Sequence, residues 1–154
     1  MATYYLDTSA LVKRYAREQG TRWITALTDP ILGHNLYTVQ LTGPEMIAAL
    51  FRKVRTGAIT LADATRAGTD FRQDWQTQYL VLNVTETLIE HAMSLAQAHG
   101  LRGFDAVHLA TALAVHDLHR SLQLPAITFV SADIDQHQAA ATEGLLVEDP
   151  NAYP

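Results

Sequence analysis

Residues 3–15 read TYYLDTSALVKRY, and this stretch decides the class of fold. Thr3–Leu6 is a short run of aromatic and branched side chains, which predicts a buried strand. Asp7, Thr8 and Ser9 follow directly, and all three residue types are favoured at the N-cap of a helix. The amphipathic stretch after them predicts that helix. A strand followed at once by a helix predicts an α/β fold.

The rest of the chain repeats this alternation of short apolar runs and amphipathic stretches. Because strands that alternate with helices form parallel sheets through right-handed crossovers, we expect helices on both faces of the sheet. The predicted architecture is α/β, a three-layer α/β/α sandwich with a mainly parallel central sheet, built by residues 1–154 as a single domain. Further strands are predicted at residues 31–34, 80–82, 126–130 and 145–147, and helices at 21–27, 61–79, 85–99, 104–118 and 131–142, with another beginning at Glu45.

Composition limits the classes of protein to which this chain can belong. Hydrophobic residues make up 48% of its 154 residues and charged residues 18%, which excludes a disordered chain and a membrane protein. No apolar stretch has the length of a membrane span or the pattern of a secretion signal, so we expect a soluble, cytoplasmic protein. The lack of cysteine excludes disulfides, thiol nucleophiles and cysteine-based zinc sites.

The net charge of −5 argues at first against a nucleic-acid ligand, because lysine and arginine supply most of the affinity for phosphates. The distribution of charge weakens that argument. Arg52 follows Glu45 by seven residues and shares its helix face, where it either meets a phosphate or belongs to a solvated helix end. Seven of the eleven basic residues lie in two groups, which are Lys13, Arg14, Arg17 and Arg22, and Arg52, Lys53 and Arg55.

Four acidic residues stand where a short apolar run ends or a helix begins: Asp7, Glu45, Asp105 and Asp133. Each has a local explanation. Asp7 and Asp133 suit helix N-caps, and Thr42 with Glu45 matches a capping box. Asp105 suits the positive end of its helix dipole. The alternative is that all four converge, because the carboxyl ends of parallel strands meet at the crevice where α/β sheets bind ligands.

Convergence of the four carboxylates would require a cation. Two like charges 4 Å apart repel by about 4 kcal/mol at an effective dielectric of 20, so three or four ionised carboxylates cannot share a site uncompensated. Hard divalent cations prefer oxygen ligands, and Mg²⁺ or Mn²⁺ in such a cluster activates water for phosphodiester hydrolysis. No Ser-His-Asp triad is then needed.

The histidines of the helix at 104–118 are open to two interpretations. His108 lies one turn after Asp105 on the same face, where it can contact substrate or orient a carboxylate. We expect His108, His116 and His119 to form a solvated face instead, since three histidines on one helix rarely make a zinc site. The stripe expected to face the core consists of Val107, Ala110, Thr111, Ala114 and Leu118.

Four segments together resemble the PIN domain family. They are YYLDTSALVKRY at 4–15, LTGPE at 41–45, LRGFDAVHLATAL at 101–113 and FVSAD at 129–133. The resemblance extends over nearly the whole chain, including GLLVEDP at 144–150, and is strongest to the VapC toxins of type II toxin–antitoxin systems. Each motif alone is weak evidence, but their order and spacing fit together.

The resemblance implies a metal-dependent endoribonuclease whose four acids hold Mg²⁺ or Mn²⁺. Asp7 and Asp105 match the central ligands, while Glu45 and Asp133 complete the site directly or through water. Ser9, in the polar pair with Thr8, is expected to bond a ligand or the scissile phosphate. The family also implies a homodimer and a cognate antitoxin (VapB-like) whose peptide blocks the site. Asp135 is a lesser candidate, because two residues along a helix it turns away from Asp133.

Other classes of protein fit the sequence less well. A phospho-acceptor receiver domain would need an acidic pair after the first strand and a late lysine, whereas the only lysines are Lys13 and Lys53. A haloacid-dehalogenase-type phosphatase would need an aspartate where Ser9 stands. Two alternatives stay within the PIN family, a nuclease of RNA processing outside any toxin system and a catalytically inactive binding module.

Overall fold

The computed structural model describes residues 1–154 and contains one sheet of five parallel strands in the order β3-β2-β1-β4-β5. The first strand, β1, lies at the centre of the sheet. The strands are β1 (Thr3–Leu6), β2 (Asn35–Val39), β3 (Leu80–Leu82), β4 (Thr128–Val130) and β5 (Leu146–Glu148). The α-helices are α1 (Thr8–Tyr15), α2 (Thr21–Leu27), α3 (Thr42–Arg55), α4 (Leu61–Thr77), α5 (Glu86–His99), α6 (Gly103–Ser121) and α7 (Ile134–Thr142).

The strand order reverses direction at β1. The chain adds β2 and β3 on one side of β1, then returns to add β4 and β5 on the other side. At such a reversal the connections leave the carboxyl ends of neighbouring strands in opposite directions, and a crevice opens between them. Residues that directly follow β1 and β4 therefore lie at the mouth of this crevice.

Alternate residues of the central strands point into two separate cores. Tyr5 and Phe129 pack with α5, α6 and α7 on one face of the sheet, and their rings stack at 5.6 Å. Leu6 and Val130 pack with α1 to α4 on the other face. The sheet is thus covered on both sides, and the predicted α/β/α sandwich with a parallel sheet is confirmed. None of the helices combines the length and apolar character needed to cross a membrane.

One predicted strand is wrong. Residues 31–34 do not form a strand; the short 3-10 helix Pro30–Leu32 begins at Asp29, whose side chain accepts a hydrogen bond from the Ile31 amide at 3.0 Å. Gly33 ends this turn with a φ of 62°, in the left-handed region. The strand beside β1 follows it as β2. The other predicted elements are present, with ends shifted by up to three residues.

The predicted faces of α6 are also partly wrong. Leu118, assigned to the core, has 54% of its surface exposed, and Ala114 is exposed as well. His108 and His119, assigned to a solvated face, are buried, with only His116 of the three partly exposed. The reason is that α6 packs against the sheet, α5 and α7 together, so residues 106–113 are buried on every side of the helix.

Candidate active site

A cleft of about 590 Å³ opens at the carboxyl ends of the central strands. All four acids singled out in the sequence line it: Asp7, Glu45, Asp105 and Asp133. They come from the N-cap of α1, the first turn of α3, the first turn of α6 and the N-cap of α7. Helix N-termini carry a partial positive charge, so each carboxylate is also favoured by the helix that positions it.

Asp7 is the innermost of these acids and only 3% exposed. Its Oδ1 accepts hydrogen bonds from Ser9 Oγ at 2.8 Å and from the Ala10 amide at 3.0 Å, so the predicted N-cap is present. Its Oδ2 accepts from Ser131 Oγ at 2.8 Å. Ser131 lies beside Asp7 because Leu6 pairs with Val130 in the sheet, and each residue follows one member of that pair.

Burial raises the pKa of the Asp7 carboxyl. The opposing influences lower it by less: the charge that His108 carries when protonated, and the hydrogen bonds from Ser131, Ser9 and Ala10. The ionised carboxylate is therefore short of compensating charge in the metal-free protein.

Glu45 does not close a capping box. Helix α3 begins at Thr42 without a side-chain cap, and the buried Thr42 hydroxyl bonds Thr38 Oγ1 at 2.7 Å. Glu45 Oε1 instead accepts from Thr8 Oγ1 at 2.9 Å and from His108 Nε2 at 2.7 Å. The box is absent because Leu41 is the N-cap residue, which places Thr42 inside the helix and Glu45 at its fourth position, where donors from two other helices bond it.

His108 connects Glu45 to the core. Its Nδ1 lies 2.9 Å from the hydroxyl of Tyr5, which is fully buried. Since a carboxylate has no proton to donate, Nε2 carries the proton shared with Glu45, and Nδ1 is paired with the Tyr5 hydroxyl. Burial and the nearby charge of Asp7 raise the pKa of Tyr5 well above its usual value, so the phenol keeps its proton. The alternative that His108 orients a carboxylate is confirmed.

These contacts also affect the charge of Glu45. Burial alone would raise its pKa, but the hydrogen bond from His108, the charge of that ring when protonated and the Thr8 hydrogen bond lower it below the usual value. Glu45 therefore stays ionised where Asp7 is harder to ionise.

Asp105 and Asp133 are joined by an arginine at the mouth of the cleft. Arg102 Nε donates to Asp105 Oδ2 at 3.1 Å, and its Nη2 donates to Asp133 Oδ2 at 3.2 Å. The other oxygen of Asp133 caps α7 by accepting from the backbone amides of Asp135 and Gln136. Burial raises the pKa of Asp105, Arg102 opposes the rise, and Asp133 adds to it.

The oxygen atoms in the cleft fit a divalent cation in chemistry, although several of them are bonded to other partners. All are carboxylate oxygens, the ligands that hard cations prefer, and burial leaves Asp7 and Asp105 with raised pKa values. No three acidic or imidazole groups lie close enough together to hold a metal ion in this arrangement. Glu45 is turned toward His108, and Arg102 occupies an oxygen of both Asp105 and Asp133.

The remaining residues considered in the sequence have varied surroundings. Ser9 Oγ donates a hydrogen bond to Asp7 and accepts one from the Ala132 amide at 2.9 Å, so it holds the Asp7 carboxylate in place. Arg52 lines the cleft on the side of α3. Asp135 is exposed and lies outside the cleft. Lys53 is not available there, because it pairs with Glu18 at 2.9 Å.

Sequence reasoning missed Arg102 and the role of Ser131. Arg102 precedes Asp105 by three residues, a spacing that brings side chains together at a helix start, so this pair could have been found. Its contact with Asp133 spans 31 residues and has no local signal. The sequence predicts Ser131 only as the start of a helix, because its place beside Asp7 depends on the strand order.

Comparison with known proteins identifies the family. A model described as "PIN domain" matches residues 4–141. The chain belongs to the PIN-domain family. Two proteins named ribonuclease VapC45 and ribonuclease VapC49, both from Mycobacterium tuberculosis, are each 39% identical to it over 117 residues, which cover 76% of this chain and 79% of theirs.

Solved structures agree with this PIN-domain fold. The crystal structure of PAE2754 from Pyrobaculum aerophilum has a TM-score of 0.60 at 21% identity, covering 95% of this chain and 83% of that one. A chain in a toxin–antitoxin complex from Klebsiella pneumoniae matches with a TM-score of 0.63 at 18% identity. The match covers 96% of this chain and 97% of that one. At these identities the likeness supports the fold alone.

We expect Asp7→Asn to raise the melting temperature of the metal-free PIN domain at pH 7.5. Asparagine is as good an N-cap as aspartate, and the change removes a buried charge. Because the raised pKa of Asp7 makes its ionised form destabilising, the penalty is complete above that pKa and absent below the unfolded value of about 3.9. At about 2–4 °C per kcal/mol, the melting temperature should rise by a few degrees. This rise should vanish near pH 4.

Thermal melts in chelator, with Asp135→Asn as the exposed control, measure this effect. A lower melting temperature for Asp7→Asn at pH 7.5 would mean that the accepted hydrogen bonds outweigh the cost of the buried charge.

We expect Tyr5→Phe to lower the free energy of unfolding by about 1–3 kcal/mol, since it leaves Nδ1 of the buried His108 without its hydrogen-bond partner. Tyr4→Phe is the matched control, because the Tyr4 hydroxyl makes no hydrogen bond. Urea unfolding of both variants measures the difference. Equal losses in the two would contradict the proposed orientation of the imidazole.

Proposed function

We propose that this PIN domain is a metal-dependent endoribonuclease of the VapC type, the toxin of a type II toxin–antitoxin system. The observation that carries the proposal is the set of four carboxylates, Asp7, Glu45, Asp105 and Asp133, lining one cleft at the carboxyl ends of the strands. Two relatives are named ribonucleases, which supports RNA as the substrate. Each of them aligns with 76% of this chain.

In this proposal Asp7 and Asp105 hold Mg²⁺ or Mn²⁺, with Glu45 and Asp133 completing the site. When bound, the cation supplies activation of water and stabilisation of charge during phosphodiester hydrolysis. Ser9 and Ser131 keep Asp7 in one orientation, and His108 with Thr8 does the same for Glu45. Fixing ligands through such partners typically changes metal affinity or activity by about 10–100-fold.

The surroundings of the cleft suit a single-stranded RNA. Arg52 lies on its wall and forms no ion pair within the chain, so its charge is available to a phosphate. Phe104 lies at the rim with 60% of its surface exposed, and exposed aromatic rings stack on unpaired bases. The overall charge of −5 therefore does not prevent binding, because a cation and Arg52 would offset the acids locally.

The purified chain should cleave RNA only with Mg²⁺ or Mn²⁺ present, and Asp7→Asn or Asp105→Asn should each reduce cleavage by more than the roughly 100-fold seen for indirect ligand partners. The loss follows from removing a charged ligand of the cation. Gel analysis of a labelled RNA, with circular dichroism to verify folding, measures it.

Asp135→Asn is the matched control and should cleave at the rate of the unmodified chain, since Asp135 is an exposed acid outside the cleft. Unchanged cleavage in the Asp7 and Asp105 variants would overturn the mechanism. A folded, metal-binding chain without activity on any RNA would instead indicate an inactive binding module.

We further propose a cognate VapB-like antitoxin and a homodimer. Exposed apolar residues recur one turn apart on two packed helices, with Ile89 and Met93 on α5 and Leu118 and Leu122 at the end of α6. Apolar surface of this kind is typical of a face covered by another chain.

The dimer should persist at micromolar concentration, and Leu118→Glu with Leu122→Glu should convert it to a monomer by burying uncompensated charge. Light scattering after gel filtration measures the mass. Leu61→Glu, at another exposed leucine on α4, is the control that should leave the dimer intact. A monomeric unmodified chain would contradict the dimer without affecting the proposed chemistry.

A further inference from the structure

Arg102 has a position that the proposed reaction does not explain. It is the residue just before α6, and its side chain extends across the mouth of the cleft with 81% of its surface exposed. There it contacts Asp105 Oδ2 through Nε and Asp133 Oδ2 through Nη2. These two acids belong to different helices, and both are assigned to the cation in the proposed function.

We propose that Arg102 is a built-in competitor of the divalent cation. Its guanidinium neutralises Asp105 and Asp133 in the metal-free protein, and the ion displaces it from these oxygens on binding. This inference rests on the proposed function only in assigning the two acids to a cation. Its consequence is that Arg102 sets the metal concentration at which the site fills.

The contacts of Arg102 suit an exchangeable partner. The two bonds, at 3.1 and 3.2 Å, are long for charge-assisted hydrogen bonds, and the side chain is largely in water. Exposed ion pairs of this kind are each worth about 0.2–1 kcal/mol, so an ion with twice the charge can replace them. The Arg102 side chain makes no other hydrogen bond or ion pair.

The geometry also requires an arginine. The planar guanidinium offers several N–H donors in fixed directions, which lets it bond two carboxylates from separate elements at once. A lysine ammonium is a single compact charge and would favour one partner at a time. Arg52 provides a comparison within the same cleft, because it is an arginine on α3 that forms an ion pair with neither acid.

Isothermal titration of the full chain with Mn²⁺ tests the proposal without any RNA. Arg102→Gln should bind Mn²⁺ about three- to tenfold more tightly than the unmodified chain, because the ion no longer displaces two ion pairs. The Mn²⁺ affinity of Arg102→Lys should lie between those of Arg102→Gln and the unmodified chain. Arg52→Gln, which also removes one positive charge from the cleft, should change the affinity by less than about twofold.

Thermal melting provides a second readout. Without metal, Arg102→Gln should melt below the unmodified chain, because Asp105 and Asp133 lose their shared partner. Saturating Mn²⁺ should raise its melting temperature by more than it raises that of the unmodified chain, so the difference narrows or reverses.

Equal or weaker Mn²⁺ binding by Arg102→Gln would overturn the proposal, since Arg102 would then position the acids for the ion. An equal gain in Mn²⁺ affinity for Arg52→Gln would overturn it too, because the gain would then come from the loss of any positive charge in the cleft. Absence of Mn²⁺ binding to the unmodified chain would remove the competition altogether. RNA cleavage is measured separately, so failure of the proposed nuclease is distinguishable from failure of this exchange.

Discussion

The buried carboxylate of Asp7 is the constraint on which the rest of the cleft depends. It lies at the end of the central strand, is almost inaccessible to water, and has a pKa raised by that burial. Hydrogen bonds from Ser9, Ala10 and Ser131 reduce the cost without removing it. A protein that keeps an ionised group in this position gains from any cation that can reach it.

The surrounding groups divide into a buried inner part and a more exposed outer part. In the inner part, Tyr5, His108 and Glu45 form a chain of hydrogen bonds from the core to the cleft, at 2.9 and 2.7 Å. In the outer part, Asp105 and Asp133 share one exposed arginine. In the proposed function, the inner part orients the ligands and the outer part opens when the ion binds.

Local signals in the sequence predicted much of the fold and the four acids that line the cleft. The first strand and its following cap are encoded by adjacent residues, and the boundaries of α2 and β3 follow from short runs bounded by turns. The wrong strand at 31–34 arose because the apolar pair Ile31 and Leu32 lies in an exposed 3-10 turn. The true strand beside β1 begins directly after it.

The contacts that define the site could not be predicted in the same way. Tyr5 and His108 are 103 residues apart, and Asp7 and Ser131 are 124 apart. Their proximity depends on which strands pair with β1 and in what register, and a local sequence pattern predicts neither. The predicted capping box at Glu45 is wrong because α3 begins at Thr42 itself, and the partners of Glu45 come from distant parts of the chain.

The central claim is that these separate carboxylates form one cation site. A crystal structure of the chain grown with Mn²⁺, with anomalous scattering recorded at the manganese edge, tests it most directly. The account predicts an anomalous peak bonded to Asp7 and Asp105, with Arg102 turned away from both of its present partners. A cleft without a peak at saturating Mn²⁺, with Arg102 still paired to Asp105 and Asp133, would contradict it.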